Sequence, residues 1–207
     1  MCKKISKILG VAIIMASLTG LAFGADPVTR TISATIPVEN GFDVTISKID
    51  PLGTGNPIDD VWVSDNETSI HFDTLTYSNE HHIFLADYYF AIDLGVRYNG
   101  GNNWTISHAR TSFLGATANL DNNVNVSFVK VVRVNLDDVE TSLGKFSYDN
   151  SNQTYTKANL SGGWLRIYYG IGCGDLDFPD NPGVDPINTE KPAGTYRGEI
   201  TLTLTVS

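Results

Sequence analysis

With 207 residues, 42% of them hydrophobic and 18% charged, the chain suits one domain of ordinary size. It is neither a disordered tail nor a coiled coil, both of which carry far more charge. Three of its 14 Lys and Arg residues (Lys3, Lys4 and Lys7) lie before position 25, leaving 11 against 23 Asp and Glu, a formal charge of −12 that repels phosphate backbones and excludes nucleic acid as a partner.

Residues 1–24 read as a secretory signal: a basic start, an apolar run over residues 8–16, and Ala22-Phe23-Gly24 placing small residues at −3 and −1 for cleavage before Ala25. The alternative is an uncleaved anchor, but Ser17, Thr19 and Gly20 dilute a run that barely reaches the length a bilayer needs. A lipoprotein signal lacks its cysteine at the cleavage point, and a prepilin signal lacks its Glu, where Met15 stands. After signal removal no apolar run is long enough for a membrane span. One domain is then expected over residues 25–207, secreted or held at the cell surface. Cys2 leaves with the signal, so Cys173 is alone and no internal disulfide forms. In Gly172-Cys173-Gly174 it reads as a small buried residue of a glycine-rich turn, with a reactive thiol as the alternative.

Period two then governs the chain. Val28, Arg30, Ile32, Ala34, Ile36 and Val38 alternate with Thr29, Thr31, Ser33, Thr35 and Pro37 in a half-buried first strand. Residues 39–41 read as a turn, 42–47 as a second strand, 49–60 as a loop, and 61–63 and 69–77 as short strands. Tyr88, Phe90, Ile92, Leu94, Val96 and Tyr98 share one face of a longer strand, and Tyr89, Ala91, Asp93, Gly95 and Arg97 the other. Asn99-Gly100-Gly101-Asn102-Asn103 predicts a hairpin into the strand at Trp104. Residues 124–134 read as a central strand, 136–143 as a single helical turn capped by Asp137-Asp138, and 164–169 and 196–206 as the last two strands. This pattern predicts an all-β antiparallel sandwich, with residues 50–60 and 172–192 as inserted loops.

Chemistry-bearing patterns are sparse. Asp175, Asp177 and Asp180 lie in a bent polar loop with the Asp-x-Asp-x-x-Asp spacing that can offer calcium several oxygens; the competing reading is a solvated turn in which the aspartates bond their own backbone. His81-His82 are neighbours and point to opposite faces of an extended chain, which argues against zinc. Serine-nucleophile elbows, phosphate-cradling glycine loops and zincin motifs are missing, and the chain reads as no enzyme, although any acidic β-protein offers paired carboxylates. Tyr88, Tyr98, Trp104, Tyr168 and Tyr169 are candidates for stacking on surface glycans, against core packing as the alternative. Of five Asn-x-Ser/Thr sites, Asn125 falls within a central strand where a glycan has no room.

The C-terminal Ala193-Gly194-Thr195-Tyr196-Arg197-Gly198-Glu199 followed by Ile200-Thr201-Leu202-Thr203-Leu204-Thr205-Val206 resembles the last strand of secreted pilin-like β-sandwiches: chaperone–usher pilins of the alternate, coli-surface-antigen type, and spore-coat-U-like proteins. Thr31-Ile32-Ser33-Ala34-Thr35-Ile36-Pro37-Val38 is similar to their N-terminal strand. The cysteine pair and penultimate Tyr of the commonest pilus type are missing; Thr205 and Val206 stand at the end. The resemblance implies an immunoglobulin-like sandwich. It also implies strand donation by Val28, Ile32, Ala34, Ile36 and Val38 into a neighbouring copy, hence self-association into a fibre. A carbohydrate-binding or adhesive module is the second functional expectation.

Overall fold

The computed structural model describes residues 40–53, 57–98, 103–149, 152–176 and 178–207, all within the compact unit Pro37–Ser207. The expected signal and the expected first strand, with Val28, Ile32, Ala34, Ile36 and Val38, lie outside the described residues.

The fold is an all-β antiparallel sandwich. Its larger sheet has six strands in the order β2 (Val61–Glu67), β1 (Asn40–Asp50), β5 (Tyr89–Tyr98), β10 (Trp164–Ile171), β7 (Val124–Val134), β8 (Asp137–Ser147). Facing it is a three-stranded sheet, β11 (Ile200–Val206), β6 (Trp104–Arg110), β9 (Gln153–Thr156). A small hairpin, β3 (Thr76–Ser78) and β4 (Ile83–Leu85), stands apart from both. The pairings within these sheets are antiparallel, as short connections allow.

Alternation sets both faces of the large sheet. Ile92 and Leu94 of β5, Leu165, Ile167 and Tyr169 of β10, and Val126 and Phe128 of β7 point inward and meet Trp104 and Ile106 of β6 and Tyr155 of β9 in the main core. The opposite side of the same strands carries a second cluster, Ile49, Tyr89, Ala91, Val129, Val131 and Tyr168. The large sheet is therefore packed on both faces, and its outer face is only partly apolar.

Four expectations need correction. Asn40 and Gly41 are not a turn: they open β1 by pairing with Tyr98 and Arg97, and Gly41 leaves room for the Arg97 guanidinium. Ser69–Leu75 forms no strand, since Asp73 sits at φ +55° and Ile70, Phe72 and Leu75 plug the core without a ladder. The strands flanking residues 99–103 form no hairpin: β5 and β6 belong to opposite sheets. An inward apolar face is satisfied equally by a neighbour in the sheet or by a strand across the core, and alternation does not distinguish them. Residues 136–143 are not helical. Asn135 (φ +52°) and Leu136 (φ +78°) make a two-residue left-handed turn that folds β8 back on β7, pairing Val134 with Asp137.

Candidate functional site

The densest polar chemistry lies on the outer face of the six-stranded sheet. Arg166 of β10 stands directly across from Asp93 of β5, so strand register alone brings cation and carboxylate together. Its Nε and Nη2 donate to the two Asp93 oxygens at 2.6 and 2.8 Å, a bidentate pair, and Nη1 donates to Glu140 at 2.9 Å. Nη2 also reaches Asp138 at 3.3 Å. The Arg166 side chain is only 5% exposed. Burial alone would lower its pKa, but the hydrogen bonds and charge of Asp93 outweigh this and hold it far above the ordinary arginine range. Tyr168, two residues on, donates its hydroxyl to Glu140 at 2.6 Å, and burial pushes that phenol well up.

Aromatic rings bracket this cation. The Arg166 guanidinium lies 4.6 Å from the Trp62 ring centre and 5.9 Å from that of Trp164, and Arg133 lies 5.6 Å from Trp164 on its own account. Arg133 pairs across the β7–β8 hairpin with Asp138 at 2.7 and 2.9 Å. The chain leading into Trp62 is anchored. Asp60 accepts the Leu52 amide at 2.8 Å and the Tyr89 hydroxyl at 2.5 Å, pinning the chain just before β2 to the sheet. Between Trp62, Ile58 and Asp65 on one side and Arg133 and Asp138 on the other runs an open cleft of about 420 Å³, floored by Thr45, Ser47, Asp93 and Arg166.

The residues singled out in the acidic loop behave differently. Asp180 accepts the amides of Cys173 and Gly174 at 3.0 and 2.6 Å and the Asn125 side chain at 2.9 Å; Asp175 accepts the Asp180 amide at 2.8 Å. Burial raises the Asp180 pKa, the two amides counter it, and neighbouring Asp175 raises it again. These carboxylates clamp a loop whose Asp175 and Gly174 both have positive φ. Asp177 lies outside the described residues. Among the described residues no group of three or more His, Cys, Asp or Glu is arranged to hold a metal ion. Cys173 is buried and directs its Sγ–H to the Phe178 carbonyl at 2.9 Å.

Of the aromatic candidates, Trp104, Tyr168 and Tyr169 are buried, and Tyr88 lies beneath the Lys48 ammonium at 3.8 Å, so the five do not form one exposed row. Among the described residues the aromatic side chain that is presented is Trp62, 36% exposed. Sequence reading passed over it because it sits in a three-residue apolar run beside a loop. A signal was there: on a strand Trp62 points to the face opposite Val61 and Val63, so a run apolar at all three positions leaves an apolar side chain outside any single core.

A second feature is a margin of the core. Val44 faces the same side of the sheet as Leu94, its partner across the ladder, yet it is 47% exposed where Leu94 is 1%. Its neighbours Phe42 and Ile46 are half-buried, as are Ile200, Leu202 and Leu204 on the inward face of β11. Among the described residues β11 pairs with β6 on one edge and has no strand on the other.

A scan of family models finds no match to the chain, and comparisons with curated proteins and with solved structures find none either.

Proposed function

We propose that the protein is an exported structural or cell-surface subunit whose sandwich is completed by strand addition at the β11 edge. The observation that carries this reading is the under-covered core margin: among the described residues six strands face three, Val44 is exposed on the inward side of β1, and the inward residues of β11 are only half-buried. Such an edge is a template for a further strand, and proteins that leave one open use it for pairing or guard against it. Residues 28–38 have the matching pattern, with Val28, Ile32, Ala34, Ile36 and Val38 on one face, interrupted by Arg30, and Thr29, Thr31, Ser33, Thr35 and Pro37 on the other. Supplied by a second copy, this strand joins subunits head to tail, a heterologous contact that grows a fibre when the rotation between neighbours does not close it into a ring. Supplied by the same chain, it yields a monomer.

Electron microscopy of the exported chain, together with its mass in solution, separates these outcomes. Filaments or concentration-dependent oligomers that disappear in Ile32→Asp plus Ile36→Asp are the expected result. A strictly monomeric wild-type chain at high concentration contradicts assembly.

A further inference from the structure

We propose that the cleft on the outer face of the six-stranded sheet is a binding site for a neutral saccharide, with Trp62 as its stacking platform. Four properties of the cleft select this class of ligand.

The first is size and access. At about 420 Å³ the cleft falls within the range of small-ligand sites, and it opens to solvent along its length. The second is a fixed aromatic plane. Trp62 is 36% exposed, and the Arg166 guanidinium packed against its ring restrains the indole without hiding it. A restrained, half-exposed indole offers an apolar face to the C–H side of a sugar ring, with little rotamer freedom left to lose on binding.

The third property is the polar rim. Asp93 and Asp138 keep 26% and 21% of their side chains exposed while pairing with Arg166, and Arg133 keeps 60% while pairing with Asp138. A carboxylate has about four acceptor sites, so each retains lone pairs for hydroxyl donors, and Thr45 and Ser47 add hydroxyls of their own on the floor. Groups that both accept and donate at fixed spacing match the vicinal hydroxyls of a sugar. The ion-pair network holds them there in advance of any ligand.

The fourth property is charge. The cleft and its supporting network hold the carboxylates of Asp65, Asp93, Asp138 and Glu140 against the guanidinium groups of Arg133 and Arg166. The donors of Arg166 are already directed to Asp93, Glu140 and Asp138, so it offers no bidentate seat to an incoming anion. Arg133, though 60% exposed, commits Nε and Nη2 to Asp138, and with four carboxylates against two guanidinium groups uronic and sialic acids are disfavoured, whereas neutral sugars meet no such penalty.

The test uses the mature chain and a panel of neutral mono-, di- and trisaccharides of glucose, galactose, mannose and N-acetylglucosamine, with glucuronate and sialyllactose as acidic counterparts. Binding is read by saturation-transfer NMR and calorimetry. At least one neutral sugar is expected to bind, and Trp62→Ala and Asp65→Asn each to weaken it by about tenfold or more. Both positions are exposed, and an unchanged melting curve verifies that each variant is folded. Affinity that rises from mono- to trisaccharide identifies an extended polysaccharide as the source; affinity complete at the mono- or disaccharide identifies a terminal glycan. The proposal is overturned if no neutral sugar in the panel binds, if Trp62→Ala leaves binding unchanged, or if the acidic sugars bind more tightly than the neutral ones.

Discussion

His108 makes the stability of this sandwich depend on mild acid, and the size of the effect follows from its surroundings. The ring projects from β6 into the core with 0% exposure, packed edge-on against Phe128 at 5.1 Å and hydrogen-bonded through Nε2 to the Tyr169 hydroxyl. Its Nδ1 has no hydrogen-bond partner among the described residues. Burial, and next the positive charge of Arg110, lower its pKa from 6.5 to about 4, with a weak opposing pull from its own backbone. The folded protein thus holds His108 neutral where the unfolded chain has begun to protonate it. Stability from this group is complete above pH 6.5, falls as the pH drops below that value, and stops falling below about pH 4. Linkage gives a loss of about 2 kcal/mol by pH 5 and about 3 kcal/mol by pH 4, a large share of the 5–15 kcal/mol that holds a typical domain. Urea unfolding followed by tryptophan fluorescence at pH 8 and pH 5 measures it, with His108→Gln as the non-titrating comparison. Wild type should lose about 2 kcal/mol more than the variant over that interval. Parallel losses in the two proteins would refute the reasoning, whatever the variant's stability at pH 8.

Two other perturbations test the strands themselves. Arg166→Ala leaves Asp93 and Glu140 half-buried without their cation, and it should cost about 3–5 kcal/mol in chemical denaturation, with Arg166→Lys intermediate because it keeps the charge and loses the bidentate fork. Leu136 is 89% exposed at φ +78° in the β7–β8 turn, so Leu136→Gly relieves backbone strain at little cost in burial and should raise stability by about 1 kcal/mol; a lower melting temperature would show that the side chain is needed.

The sequence was most informative where alternation ran long. The two faces of β5 and the whole of β7 could be read from residue order, because a strand buried on one or both sides leaves few choices for its apolar residues. Sheet membership was not legible: Trp104 and Ile106 have the same inward pattern whether β6 pairs with β5 or faces it across the core. Asp137-Asp138 resembled a helix cap because the deciding feature, two consecutive left-handed residues at Asn135 and Leu136, uses a leucine where glycine is the usual marker. The outer-face cleft escaped notice for a related reason. Trp62, Asp93, Asp138 and Arg166 lie on four different strands, and only the order β2-β1-β5-β10-β7-β8 brings them to one surface. By contrast, Asp175 and Asp180 stood out in the sequence through their proximity, and the structure shows them bonding the backbone of their own loop.

The most direct test of strand addition is hydrogen exchange at the amides of β11 in a chain beginning at Ala25 and in a shorter one beginning at Glu39. Alternate amides of this strand point away from β6, toward the edge that residues 28–38 are proposed to occupy. They should exchange slowly in the longer chain, quickly in the shorter one, and slowly again when a synthetic peptide of residues 25–38 is added. Equal protection of those amides in the longer and shorter chains would contradict the account, since the edge would then gain nothing from the segment proposed to fill it.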